Sequence, residues 1–301
     1  MAAGSQRRAV TRRGLRIRAA PGPPGKPPPR PFPFLAGLSL TFDLQHGVAG
    51  LLVGAVVGVT GVGGGALMTP LLVMLFGVAP TTAVGTDLLY ASITKSFGTA
   101  VHHKAGTVDW QVVRRLALGS LPAAGLTLAC MQLSHAGQLR SGFVTATLGL
   151  ALVVTALGIL FKTQIHALGT RWRLGDSARF KALQPALTVA CGVLLGTMVT
   201  LTSVGAGALG TAMLVYLYPL RLSAGRLVGT DIAHAIPLTL IAGLGHLTLG
   251  NVDTALMLNL LAGSIPGVLL GSWVSTRAPV APLRIAIAFV LLFVAWKMVM
   301  R

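Results

Sequence analysis

The chain has 301 residues, 53% hydrophobic and only 10% charged, with a mean hydropathy of +0.78. Soluble domains carry about 25% charged residues, so these values exclude a soluble fold and indicate a polytopic membrane protein. The formal charge of +18 would suit a nucleic-acid binder, but the cations gather between the apolar runs. There they read as topology signals and as partners for anionic membrane lipids, with no nucleic acid implied.

Residues 1–36 hold eight basic and no acidic side chains and end in a proline-rich stretch from Pro21 to Pro31. Such a segment cannot bury enough apolar surface to fold. It reads as a disordered cytoplasmic tail, with an organelle transit peptide as the alternative. Beyond it, apolar runs of spanning length, roughly 20 residues, fall at about 47–76, 83–102, 111–132, 140–161, 184–218, 228–248, 255–275 and 282–300. They divide into two halves, 37–161 and 184–301, joined by a basic polar linker at 162–183 that reads as cytoplasmic. The expected fold is an all-α integral membrane protein with about eight transmembrane helices in two repeated four-segment halves. With the N-terminus inside, 18 Lys and Arg fall on the cytoplasmic side and 5 outside. The positive-inside rule then orients the chain N-in and C-in in the cell membrane, as a bacterial inner-membrane protein. Cys130 and Cys191 lie in apolar runs without metal or disulfide spacing and read as packing residues.

The halves are copies. Gly50, Gly54, Thr60, Gly63, Gly65 and Thr69 recur as Gly192, Gly196, Thr202, Gly205, Gly207 and Thr211. Gly85-Thr86-Asp87 recurs as Gly229-Thr230-Asp231, His102 as His246, Asp109 as Asp253, and Gly119-Ser120 with Pro122 as Gly263-Ser264 with Pro266. Each half opens with an overlong segment interrupted by small residues: Gly61, Gly63, Gly64 and Gly65 in the first, Ser203-Val204-Gly205-Ala206-Gly207 in the second. Non-helical backbone at membrane depth survives only in a protein-lined or wet cavity, so each cluster is a candidate broken helix facing a substrate path. Close helix packing through small residues is the competing reading. Four full crossings per half would make the repeats parallel. A first segment that enters and leaves by one side would leave three and make them inverted.

The chain's six acidic residues are all Asp, and four form the matched pairs Asp87/Asp231 and Asp109/Asp253. Intramembrane charge is costly and functional by default, although an Asp in a first helical turn can equally be a cap. At about 100° per residue, Asp87, Lys95 and His102 share one side of a helix. Asp231, His234 and His246 repeat this, with Thr239 where Lys95 would stand. Lys95 is a candidate anion attractor, and the Asp and His groups are candidate proton carriers. His102 and His246 sit at the far ends of their runs, near the membrane surface. Asp109 and Asp253 follow a Gly-x-Val turn and read as N-caps of the next helices. Thr86 and Thr230 adjoin the aspartates and join the candidate substrate-binding set. No metal spacing, nucleophile elbow or P-loop occurs, so nothing in the sequence supports an enzyme.

The run Gly61 to Pro70, followed by Ala83-Val84-Gly85-Thr86-Asp87 and His102 to Asp109, resembles the sulfite exporter TauE/SafE family over about 47–300. That resemblance implies an anion permease for sulfite, sulfoacetate or other organosulfonates, without a cofactor. Around Lys95 it is read as a proton-linked carrier. A channel or cation carrier using Asp87 and Asp231 is the alternative, and an intramembrane hydrolase pairing Ser92 or Ser96 with a histidine is a remote third. The second copy departs from the pattern at Ser203, Ala206, Ala212 and Pro219, and an Asp after Gly-Thr is itself a departure.

Overall fold

The computed structural model describes residues 43–60, 65–104, 106–133, 141–175, 177–275 and 280–300, all within the compact unit Gly37–Arg301. The basic tail therefore lies outside the described residues. Among the described residues there are eleven helices: α1 Leu44–Thr60, α2 Gly65–Leu75, α3 Pro80–Lys104, α4 Trp110–Leu133, α5 Ser141–Leu160, α6 Lys162–Gly175, α7 Ser177–Thr202, α8 Ala208–Leu217, α9 Ala224–Thr248, α10 Thr254–Ser275 and α11 Val280–Val299. Trp110–Leu133, Ala178–Thr202, Ala224–Thr248 and Thr254–Gly271 are each long and apolar enough to span a bilayer, and α5 with α6 passes only as a pair bent by 70°. Large apolar side chains such as Leu126, Leu269, Phe289 and Trp296 face outward, whereas Asp87, Lys95, Asp231 and His234 are buried. A protein whose outer surface meets hydrocarbon has this arrangement.

The first segment of each half is a helical hairpin. At the mouth of α1–α2, His46 stacks on Phe76 with ring centroids 4.6 Å apart. At the mouth of α7–α8, Gln184 donates to the Leu217 carbonyl, and Thr188 and the Tyr218 hydroxyl lie 2.8 Å apart. Each segment thus returns toward the end at which it begins, the second of the two arrangements that the sequence left open for 47–76 and 184–218. In the second hairpin the reversal is made by Ser203, Gly205 and Gly207, with φ of 57°, 112° and 154°. The two glycines adopt backbone that a Cβ would oppose.

Helices of one half pack on helices of the other through the repeated small residues. A Cβ on Gly50 or Gly54 would meet the Leu260 or Ser264 carbonyl, and one on Gly192 or Gly196 would meet the Leu116 or Ser120 carbonyl. The register rises together in each pair, so α1 runs parallel to α10 and α4 runs parallel to α7. In contrast, Gly85 of α3 abuts His246 and Asn251 at the end of α9, while Gly243 abuts Leu89. These two sequence-equivalent helices are therefore antiparallel.

These directions place the two ends of the chain. Asp43 N–H donates to Asn259 Oδ1 near the start of α10, and Asp253 N–H donates to Thr86 Oγ1 near the start of α3, so α1, α3 and α10 begin on one face. Asp109 N–H donates to Thr230 Oγ1, so α4 and α9 begin on the other, together with α7. The linker was expected to be a basic polar connection that shares a side with both termini. It contains the helix α6, whose Gly169 packs on Tyr216 and whose His166 reaches the Pro219 carbonyl at 3.2 Å. That contact fixes it on the face opposite Asp43. With a short connection at 276–279, α11 returns to the face of Asp43.

Candidate functional site

Asp87 lies about two turns inside α3 and Asp231 about two turns inside α9, because these helices begin at Pro80 and Ala224. Neither carboxylate caps a helix end. Each is instead held by the short returning helix of its own hairpin: Thr69 Oγ1 of α2 donates to Asp87 Oδ2 at 2.5 Å, and Thr211 Oγ1 of α8 donates to Asp231 Oδ2 at 3.3 Å. These threonines are themselves repeat partners, so the duplication marked them, but sequence reasoning left them out of the site.

Lys95 breaks the symmetry. Its Nζ donates to the Ala206 carbonyl in the α7–α8 reversal at 2.6 Å, and it lies in the electrostatic field of both Asp231 and Asp87. No salt bridge joins Lys95 to either carboxylate among the described residues. Its counterpart Thr239 turns back to the Ala235 carbonyl of its own helix, 2.8 Å away. One half therefore sends a cation into the reversal of the other, with no reciprocal contact. The Ser203 hydroxyl faces Asp87, yet Asp87 Oδ1 and Ser203 Oγ both lack a hydrogen-bond partner among the described residues. Unpartnered buried polar atoms cost about 1–3 kcal/mol each, so their presence beside a buried lysine marks a place where a polar guest gains contacts. The N-terminus of α8 opens into the same region, with Gly207 as its cap residue and no side-chain cap.

His234 joins the cluster, with Nε2 2.8 Å from Ser120 Oγ. In the first half the matching pair is Tyr90 facing Ser264. His246 lies elsewhere: it is 1% exposed, its Nε2 is 2.9 Å from the Thr200 carbonyl, and it is neither interfacial nor next to Lys95. The reason is the antiparallel crossing, which buries the end of α9 against the start of α3. The hydroxyls of Thr86 and Thr230 point to the backbone of a helix from the other half, accepting from Asp253 N–H and Asp109 N–H. Asp109 and Asp253 cap as expected, accepting from Val112 N–H at 3.3 Å and Leu256 N–H at 2.9 Å. Asp109 adds a contact the sequence did not disclose, a bidentate pair with Arg221 at 2.8 and 2.9 Å. Gly63 and Gly64, with the side chain of His102, fall outside the described residues, and Gly65 begins α2. Ser92 and Ser96 bond to the carbonyls of Leu89 and Ser92 on their own helix. Cys130 is exposed on α4, so it is no packing residue.

With this geometry in hand, comparison with known proteins is specific. The family model described as sulfite exporter TauE/SafE matches residues 47–298. The chain is 42% identical over 253 residues to the probable membrane transporter protein YjnA of Bacillus subtilis, covering 83% of this chain and 97% of that protein. It is 28% identical over 243 residues to the probable membrane transporter protein YdhB of the same organism, covering 78% and 91%. No solved structure matches.

Proposed function

Because the chain belongs to the sulfite exporter TauE/SafE family of membrane transporters, we propose that it carries a sulfur-containing oxyanion across the membrane, such as sulfite, sulfoacetate or another organosulfonate. One observation supports this most: a buried lysine, paired with no carboxylate among the described residues, whose ammonium contacts a carbonyl in the middle of a helix reversal. An oxyanion that takes the place of the Ala206 carbonyl gains a charge-assisted hydrogen bond, the Ser203 hydroxyl and the positive end of α8. Gly205 and Gly207 let backbone approach it closely. Asp87 and Asp231 flank Lys95 and take up protons, so that the anion enters without net repulsion, and His234 completes the proton-linked set.

The two hairpins leave three crossings in each half, α3 to α5 and α9 to α11, so the repeats are inverted about the antiparallel α3–α9 pair. This replaces eight spans with six crossings and two re-entrant hairpins, an arrangement suited to alternating access around a central site. The described cations support one orientation. Lys104, Arg114, Arg115, Lys162, Arg171, Arg173, Arg179, Lys181, Arg221 and Arg226 share the α6 face, and Lys297 alone occupies the other. In the tail, only Lys26 and Arg30 come within about 20 residues of α1, the distance over which the rule operates. The α6 face is therefore cytoplasmic in the cell membrane, and the ends at Asp43 and Met300 are outside. This keeps the linker where the sequence put it and reverses N-in and C-in.

The test is flux in proteoliposomes with a panel of sulfite, thiosulfate, sulfoacetate, sulfate and divalent cations. Saturable uptake of a sulfur oxyanion, driven by a pH gradient, is expected. Divalent-cation uptake with no anion uptake would overturn the proposal in favour of a cation pathway through Asp87 and Asp231.

A further inference from the structure

Away from the central cluster, the α6 face holds a cavity of about 300 Å³ lined by Arg173 of α6, Lys181 and Gln184 of α7, and the connection Tyr218, Pro219, Leu220 and Arg221. Three of its walls are cationic, and no acidic side chain among the described residues lines it. Its parts are fixed from behind. Arg221 is clamped by Asp109, donates to Gln111 at 2.8 Å and lies 5.7 Å from the Tyr218 ring centre. The Tyr218 hydroxyl accepts from Arg115 at 3.3 Å and pairs with Thr188. Apolar surface accompanies it: Leu220 of the lining is exposed, and so are Leu168, Trp172 and Leu174 on α6, the helix that supplies Arg173. A helix bent by 70° from its span, with Trp and Leu exposed beside Arg171 and Arg173, has the composition of one lying in the membrane interface.

We infer that this cavity is a binding site for the phosphate headgroup of an anionic phospholipid. A free phosphate would satisfy the cations but leave the exposed apolar side chains of α6 and Leu220 unused. A phospholipid presents its phosphate directly above its acyl chains and fits both, and basic pockets between membrane helices on the cytoplasmic side bind such headgroups. The leaflet rests on the orientation proposed above, but the site itself does not. The site also has a structural consequence. Tyr218 is the cap residue that ends α8, the returning helix that carries Thr211 to Asp231. A headgroup bound against Tyr218 and Arg221 therefore fastens the mouth of the second hairpin.

Thermal unfolding of the purified full chain in uncharged detergent tests this without requiring transport or orientation. Dioctanoyl phosphatidylglycerol is titrated against dioctanoyl phosphatidylcholine and inorganic phosphate. The wild type should gain melting temperature with phosphatidylglycerol alone. In Arg173→Ala/Lys181→Ala the half-effect concentration should rise about 25-fold, because each cation near a headgroup contributes about fivefold. Arg173→Gln/Lys181→Gln repeats the measurement with the side-chain bulk kept, and Lys297→Ala, on the opposite face, should titrate as wild type. Equal stabilisation by inorganic phosphate would overturn the lipid assignment. An unchanged phosphatidylglycerol titration in both double variants would overturn the site.

Discussion

Replacing Lys95 with Met removes the one cation in the central cluster while keeping much of its apolar stem. In the structure its Nζ sits 2.6 Å from the Ala206 carbonyl, the position an oxyanion would take. A hydrogen bond to a charged partner contributes about 1.5–3 kcal/mol net. Unscreened Coulomb attraction at 4 Å would be about 4 kcal/mol with an effective dielectric of 20, but the field of Asp87 and Asp231 offsets part of it. A loss of about 2–3 kcal/mol corresponds to a rise of about 30- to 150-fold in half-saturation concentration. The assay is initial uptake of radiolabelled sulfite into proteoliposomes against concentration, at matched protein content. Lys95→Arg keeps the charge and should retain most of the affinity. If Lys95→Met leaves the half-saturation concentration for the anion unchanged, the lysine does not hold the substrate and the reasoning fails.

Asp87→Asn and Asp231→Asn should preserve anion binding while flattening the dependence of flux on pH, since each removes a group proposed to exchange protons; the double variant should fall short of additivity, and wild-type pH profiles in both would assign the carboxylates to structure alone. Gly196→Ala forces a methyl group against the Ser120 carbonyl, whereas Gly125→Ala meets nothing within 4 Å. Size-exclusion yield and melting temperature should therefore drop for the first, by about 1–3 kcal/mol of overpacking, and hold for the second. For topology, a reporter at Gln164 in α6 should be cytoplasmic and one fused after Met300 external. Reporters found on the same side would break the hairpin account.

The sequence disclosed helices, lengths and duplication, because these rest on hydropathy and on matched residues along the chain. It also showed that something interrupts the first segment of each half, since Ser203, Gly205 and Gly207 are poor residues for a continuous helix. It left open whether the chain continues or turns back. That outcome depends on contacts such as His46 with Phe76 and Gln184 with Leu217, between residues some thirty positions apart with no local signal. The proposed orientation differs from the charge count on the sequence for the same reason, because counting charges requires knowing on which side each loop falls. For the site, composition picked out Asp87, Lys95, Asp231 and His234, where ionisable groups in apolar runs are conspicuous. Single-helix geometry then grouped His246 with them wrongly, because faces computed on one helix ignore the antiparallel crossing with α3. Backbone groups such as the Ala206 carbonyl have no sequence signature at all.

The central claim is that the anion binds at the α7–α8 reversal beside Lys95. It is tested most directly by thiol protection at Ser203→Cys, in a chain with Cys130 and Cys191 replaced by Ala. Sulfoacetate, a sulfonate that does not consume the thiol reagent, should slow labelling of this position in the reconstituted protein at concentrations matching its half-saturation for transport, and Lys95→Met should remove the protection. Labelling that is unchanged by saturating sulfoacetate, in protein that transports it, would contradict the claim and place the binding site elsewhere.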